Sequence, residues 1–385
     1  MATAIETTPE RKPRFAEGEA APRIWIGMTL WGWLRLLVHN RFAFERRFWL
    51  PALALTFTSA FNTLWGWITL LTHGWRVARV KINKPPIFVL GHWRSGTTLL
   101  HELLACDPRF AYPTTYACLA PTHFLRTEWV ARRWFNFMIP DRRPMDNMPA
   151  GLQRPQEDEF ALCNLGLPSP YLSIAFPNRP PLDAEYLTFD GVPARERRRW
   201  QRKLTWFLRQ LTYRDRRRIV LKSPTHTGRV RVLLEMFPEA RFVHIVRDPL
   251  VVFPSTVKLW KSLAKRDAMQ TPTHAELEER VLTTFERMYE AFERDRPLIP
   301  PGHICDVRYE DLVADPVAVM RRVYDELGLS EFEHALPAIK AYLAAADGYQ
   351  TNQFELSSEQ EAEISRRWQG FAERYGYESD GDAEH

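Results

Sequence analysis

Hydrophobic and polar positions change rhythm along the chain. Between residues 24 and 75 apolar residues come in long blocks. "IWIGMTLWGWLRLLV" covers 24–38, and after the polar "HNRFAFERR" the charge-free "FWLPALALTFTSAFNTLWGWITLL" covers 48–71. From Lys84 onward short apolar runs alternate with amphipathic stretches. "PPIFVLG", rich in β-branched and aromatic residues and bounded by Pro and Gly, predicts a buried parallel strand. "TTLLHELLACDP" predicts a helix with Leu99, Leu100, Leu103 and Leu104 on its inner face, stopped by Pro108. "RRIVLKSP" (217–224) and "ARFVHIVRDP" (240–249) predict two more strands, joined through the helix "TGRVRVLLEMFP". "GHICDVRYEDLVADP" (302–316) adds a fourth strand and a capped helix. Strand, helix, strand implies a right-handed parallel crossover. The expected fold class is therefore α/β: a P-loop-like parallel β-sheet flanked by helices, preceded by a Trp-rich helical region.

Parallel sheets bind ligands beyond the carboxyl ends of their strands. Gly91, Lys222 and Arg247, each just at such an end, should share one rim. Gly91 and Gly96 have the spacing of the phosphate loop GxxxxGK[ST], but Thr97 stands where the lysine belongs. The loop joins a strand to a helix N-terminus, where amides and the helix dipole favour phosphate.

At these residues the chain resembles the sulfotransferases that use 3′-phosphoadenosine 5′-phosphosulfate (PAPS). "GHWRSGTTLLHELL" looks like their 5′-phosphosulfate loop. "RFVHIVRDPLVVFPS" looks like their 3′-phosphate segment, where an arginine precedes a serine by eight positions, here Arg247 and Ser255. "VLKSP" resembles the lysine-containing strand end and "VRYEDL" the strand-plus-tyrosine motif. The similarity runs from Pro85 to Tyr377 and is best to the bacterial, carbohydrate- and tyrosyl-type branch. It implies PAPS as co-substrate, no metal, and a hydroxyl or amine acceptor on a lipid, glycan or other small molecule. It also implies that Gly91, His92, Trp93, Arg94, Ser95, Gly96, Thr97 and Thr98 hold the 5′ end. Arg247 and Ser255, with Tyr309 nearby, would hold the 3′-phosphate. Arg94, where many members have lysine, and Lys222 would be catalytic cations. The shape of the donor agrees: one 5′-phosphate carrying a sulfonate and a separate 3′-phosphate suit a short loop plus a distant Arg/Ser pair. A P-loop lysine with Mg²⁺ serves a triphosphate instead.

Sulfonyl transfer needs a base for the acceptor proton. The branch's glutamate shortly after the first helix has no counterpart in "FAYPTTYACLAPTHF". "RPQEDEF" (154–160) supplies the leading candidates, Glu157 and Glu159, unresolved between them. Crowding with Asp158 should raise a carboxyl pKa toward neutrality. The competing reading is acids placed at a helix start by the macrodipole. His226, in "SPTHTG", comes next, with His92 and His123 behind it.

The expected organisation is a disordered segment at 1–22, a hydrophobic helical region at 23–82, a sulfotransferase domain at 83–377 and an acidic disordered tail at 378–385. "GYQTNQFELSSEQ" (348–360) lies where family members close over the nucleotide. Net charge +5 suits an anionic ligand or a membrane surface. Seven of the fourteen tryptophans fall before residue 76, a placement that would suit helices lying in an interface. The 48–71 block has the length of a membrane span. Pro51, Ser59, Asn62 and several threonines dilute it, and basic residues flank both ends, against the positive-inside rule. Helices or a re-entrant hairpin at a membrane surface fit better; helices packed on the core, or a span, are the alternatives. The basic runs "RERRRWQRK" (195–203) and "RDRRR" (214–218) read as solvated helix faces or as contacts to a membrane or anionic acceptor. Four scattered cysteines without metal spacing read as reduced thiols in a cytoplasmic protein, perhaps peripheral on the membrane's cytoplasmic face. Nucleic acid is not expected, for want of an aromatic-basic motif. The competing functions are an ATP–Mg²⁺ kinase and a non-catalytic nucleotide-binding protein of the membrane surface. Oligomeric state is left open.

Overall fold

The computed structural model describes residues 23–134, 151–345 and 354–377. The segments 1–22 and 378–385, read above as disordered, lie outside the described residues, as does 348–353 of the stretch expected to close over the nucleotide. Five parallel strands form the sheet: β1 (Ile87–Leu90), β2 (Phe110–Ala111), β3 (Arg218–Lys222), β4 (Arg241–Val246) and β5 (Ile304–Arg308), in the order β2-β3-β1-β4-β5. Four of these were expected. The short β2 pairs only Phe110 with Arg218 and Ala111 with Ile219, too little to leave a pattern.

Strand alternation explains why β1 is apolar throughout. Ile87 and Val89 pack with Leu100, Leu103 and Leu104 of a helix at Thr97–Ala105. Phe88 and Leu90 face the opposite layer, with Trp200, Leu204, Phe207 and Leu208 of the Ala194–Arg214 helix. A strand covered on both faces must be hydrophobic at every position. The register sets Val89 beside Lys222 of β3 and Leu90 beside His244 of β4. The chain leaves β1 toward one edge and returns through β3 before building the other edge, so the loop after β1 sits where the strand order reverses. That is the place where parallel sheets accept ligands.

The N-terminal region folds as α1 (Leu30–His39) and α2 (Trp49–Ala78), a single 30-residue helix. Pro51 falls in its first turn, where no amide bond is lost. Thr56, Asn62 and Thr63 of α2 face the protein. Thr56 Oγ1 accepts from the Trp33 indole (2.9 Å) and Thr63 Oγ1 from the Leu30 amide (2.9 Å). Asn62 donates to the carbonyls of Ile26 (2.7 Å) and Met28 (3.2 Å). Ala52 and Leu55 bury among Trp25, Trp33 and Leu36. Among the described residues no helix is long and apolar enough to cross a membrane.

Candidate active site

Gly91 and Gly96 bracket the loop after β1, and both need their missing side chains. Gly91 has φ +142°, and a Cβ there would lie 2.5 Å from the Ile245 carbonyl oxygen. Gly96, at the N-cap of the Thr97–Ala105 helix, has φ +97°, and its Cβ would lie 2.3 Å from Cδ2 of the Tyr309 ring. Only glycine permits both the left-handed backbone and this closeness. Thr227 clamps the loop's base: its hydroxyl accepts from the Gly91 amide (2.8 Å) and donates to the Gly91 carbonyl (3.2 Å). Ser95 is buried and donates to the His92 carbonyl at 2.7 Å.

Arg94 also adopts a left-handed backbone, φ +69°. A non-glycine residue held there costs about 1–3 kcal/mol and persists only when its surroundings fix it. They do so at both ends. Its Nε donates to Ser255 Oγ at 2.8 Å, and its carbonyl accepts from Arg247 Nη1 at 3.2 Å. Arg247 in turn stacks over the Tyr309 ring, 4.0 Å from the centroid. The loop, the Arg247/Ser255 pair and Tyr309, separate in sequence, thus meet around Arg94. Asp248, beside Arg247, caps the Pro249–Asp267 helix that carries Ser255, accepting from the Leu250 amide at 2.8 Å.

On the other side of the loop, Lys222 emerges from β3. Its Nζ donates to Glu157 Oε1 at 2.6 Å and reaches Thr98 Oγ1 at 3.5 Å. Glu157 Oε2 accepts from the Tyr171 hydroxyl at 2.5 Å, which itself accepts from the Trp93 indole at 2.7 Å. A continuous chain of polar contacts therefore runs from the loop indole through Tyr171, Glu157 and Lys222 back to the loop threonine. Both ends rest on the same eight-residue stretch (Gly91–Thr98), the loop and the first residues of its helix.

The three acids of "QEDE" do not crowd one another; each meets its own basic side chain. Asp158 Oδ2 lies 2.7 Å from His226 Nε2, both fully buried. Glu159, also fully buried, takes both guanidinium arms of Arg229 (2.5 and 2.9 Å) and hydroxyls from Ser169 (2.5 Å) and Thr225 (3.1 Å). Burial pushes both carboxyls up. The charge of His226 at Asp158, and of Arg229 at Glu159, together with hydrogen bonds, outweighs it and holds each below the usual carboxylate range. The expected mutual rise is thus overturned. Glu159, expected as a base candidate, is fully buried in its pair with Arg229. His226, the next candidate, is buried against Asp158, with Phe88 edge-on 5.4 Å away. Glu157 alone of the three acids keeps some solvent access, 14% of its side chain.

His92 contributes to the loop through its backbone. Its ring packs against Phe285, and burial, partly offset by a hydrogen bond to the Trp93 carbonyl, lowers its pKa to about 3. His123 is bound to Asn62 and Thr127, with its pKa lowered by burial to about 4. Both rings are buried. Both have folded pKa values below the ordinary 6.5, so the unfolded chain takes up their protons first. Their contribution to stability is full above pH 6.5 and is lost progressively as pH falls, toward about 4 for His123 and about 3 for His92. Thermal melts across this window should show the loss. His123→Gln should flatten it by up to ~3 kcal/mol, at roughly 1.4 kcal/mol per pKa unit. An unchanged pH profile in that variant would contradict the assignment.

Tyr171, Arg229 and Thr227 were not singled out in the sequence. Tyr171 sits in the aperiodic "PSPYLS", and Arg229 partners a carboxylate 70 positions away. Only the hydroxyl-rich "SPTHTG" following a strand end hinted at Thr227.

A parallel sheet with a glycine-bracketed loop at its switch point, joined to a distant Arg/Ser pair, has the layout of a group-transfer enzyme. The sulfotransferase family model matches residues 85–334, and the chain belongs to that family. It is 47% identical over 359 residues to the omega-hydroxy-beta-dihydromenaquinone-9 sulfotransferase Stf3 of Mycobacterium bovis, covering 93% of this chain and 92% of that one. Among solved structures, sulfotransferase STF9 from Mycobacterium avium superposes with TM-score 0.64 at 20% identity, covering 83% of each chain. Sulfotransferase STF1 from Mycobacterium tuberculosis gives TM-score 0.57 at 20% identity, over 90% of this chain and 88% of that one. These two similarities concern the fold. The family match and the Stf3 relationship make the chain a sulfotransferase and set the kinase aside.

Proposed function

We propose that this enzyme moves the sulfonyl group of PAPS to the hydroxyl of a lipid acceptor, with Glu157 as general base. The observation that carries the site reading is Lys222, whose ammonium touches both the base candidate and the loop threonine Thr98. In this reading the amides of Ser95–Thr98 and the hydroxyls of Thr97 and Thr98 hold the 5′-phosphate at the helix N-terminus. Arg247 and Ser255, with Tyr309 supporting the arginine, hold the 3′-phosphate. Arg94, already spanning loop and Ser255, sets positive charge between the two anchor points. Glu157 takes the acceptor's proton as the acceptor oxygen bonds to sulfur. The S–O bond to the phosphate breaks, and 3′,5′-ADP leaves with the electron pair. Lys222 and Arg94 offset charge developing on that leaving oxygen, the interaction that lowers such barriers most.

The acceptor class comes from the relative, whose name gives an omega-hydroxylated dihydromenaquinone. A terminal hydroxyl on an isoprenoid quinone is the acceptor we assign here. The catalytic unit would span 83–377, with 23–82 as its appended helical region. The cytoplasm suits the four free cysteines.

The test is thermal stabilisation by nucleotides, since a ligand of the folded state alone raises stability by mass action. A metal-independent shift with 3′,5′-ADP is expected, with little from 5′-ADP plus Mg²⁺. Arg247→Ala should reduce the 3′,5′-ADP shift sharply. Equal shifts from both nucleotides, or a shift indifferent to Arg247→Ala, would remove the proposed donor site.

A further inference from the structure

Helix α2 turns its chemistry inside out. Asn62 and the hydroxyls of Thr56 and Thr63 point at the protein, fixed by the hydrogen bonds described above. Its large apolar side chains point away. Leu50, Phe57, Phe61, Leu64, Leu71 and Trp75 are each more than half exposed. Their spacings of seven, four, three, seven and four residues set them on one stripe. Thirty residues make the helix about 45 Å long. A continuous apolar surface of that length exceeds what solvated monomers normally expose.

The surroundings say what covers it. No acidic residue occurs between Trp49 and Ala78. Exposed basic residues stand at both ends, Arg41 and Arg46 before the helix and Arg76, Arg79, Lys81 and Lys84 at and after its end. Arg76 and Arg79 both stack on Trp75, 5.1 and 4.9 Å from its ring centroids. A second copy docked through this face would bring basic ends against basic ends, whether parallel or antiparallel. An anionic lipid surface complements both ends at once. The helix does not cross the bilayer, because its hydrogen-bonded polar side is held against the protein.

We propose that α2 lies flat in the surface of a bilayer containing anionic lipid, with its apolar stripe in the acyl boundary and its terminal arginines among the headgroups. The inner side of α2 shares one hydrophobic cluster with Trp93 and Tyr171 of the candidate site. Docking by this face would therefore hold the site close to the membrane, where a lipid acceptor resides. The docking itself does not depend on the identity of that acceptor.

The experiment is co-sedimentation of the full chain with vesicles of phosphatidylcholine alone and of an equal mixture with phosphatidylglycerol. Binding should favour the anionic vesicles and weaken with salt. The triple variant Phe57→Glu, Leu64→Glu, Leu71→Glu should bind them roughly tenfold less or worse, given what each apolar side chain contributes when buried. Its thermal shift with 3′,5′-ADP, if the wild type shows one, checks folding and should be unchanged. If that variant does not fold, Arg76→Glu with Arg79→Glu provides the second measurement, with the same weakening expected. A wild-type chain left in the supernatant of both vesicle types overturns the proposal. So does light scattering that shows a wild-type dimer converted to monomer by the stripe variant, since a second copy would then cover the face.

Discussion

Glu157→Gln should lower turnover by about 10²–10⁴-fold, the usual worth of a positioned general base. The substitution keeps volume and one acceptor oxygen, so Tyr171 can still donate to it, while the amide nitrogen can only donate and cannot accept from Lys222. It removes the charge that draws Lys222 to 2.6 Å and the lone pair that would take the acceptor's proton. The effect should fall on kcat more than on donor binding, because Glu157 meets the loop only through Lys222 and, by way of Tyr171, Trp93. The check pairs single-turnover transfer, using PAPS and the hydroxylated acceptor, with the 3′,5′-ADP thermal shift. Lost turnover with a retained shift supports the assignment. Wild-type turnover in the variant would reduce Glu157 to a counter-ion for Lys222 and send the search for a base elsewhere.

The sheet and the loop were legible because their causes are local. Apolar runs such as "IFVL" and "RFVHIV" are dictated by burial on both faces, and strand ends followed by Pro mark the rim. Topology alone then predicts that Gly91, Lys222 and Arg247 converge, and contacts of Lys222 with Thr98 and of Arg247 with Arg94 bring them to one loop. The division of labour among Glu157, Asp158 and Glu159 was not legible. A helix start turns successive residues about 100° apart, so three adjacent acids face three different neighbours. Which acid meets solvent depends on His226 and Arg229, more than 60 residues on in each case. The inverted face of α2 escaped for the same reason. Its composition is apolar throughout, and its hydrogen bonds to α1 and to the turn at Ile24–Gly27 fix the rotation.

Arg229→Leu should destabilise the protein by about 3–5 kcal/mol, a large share of a typical 5–15 kcal/mol total. The side chain is fully buried, bonded through both terminal nitrogens to Glu159 and through Nε to the Tyr186 carbonyl (2.8 Å), between the rings of Phe189 and Trp200. Removing it strands a buried carboxylate, which is far costlier than never having had the pair. Glu159→Met with Arg229→Leu should therefore be more stable than Arg229→Leu alone, a coupling that urea unfolding of the four-member cycle measures directly. The Glu159→Met member of the cycle, set beside Glu157→Gln, separates the two carboxylates by function. Glu159→Met should change the unfolding midpoint, while properly folded protein at low temperature keeps its transfer rate within a few-fold. Glu157→Gln should do the reverse. A Glu159 variant of wild-type stability without turnover would return that residue to the chemistry, and would require Arg229 to release it when the acceptor binds.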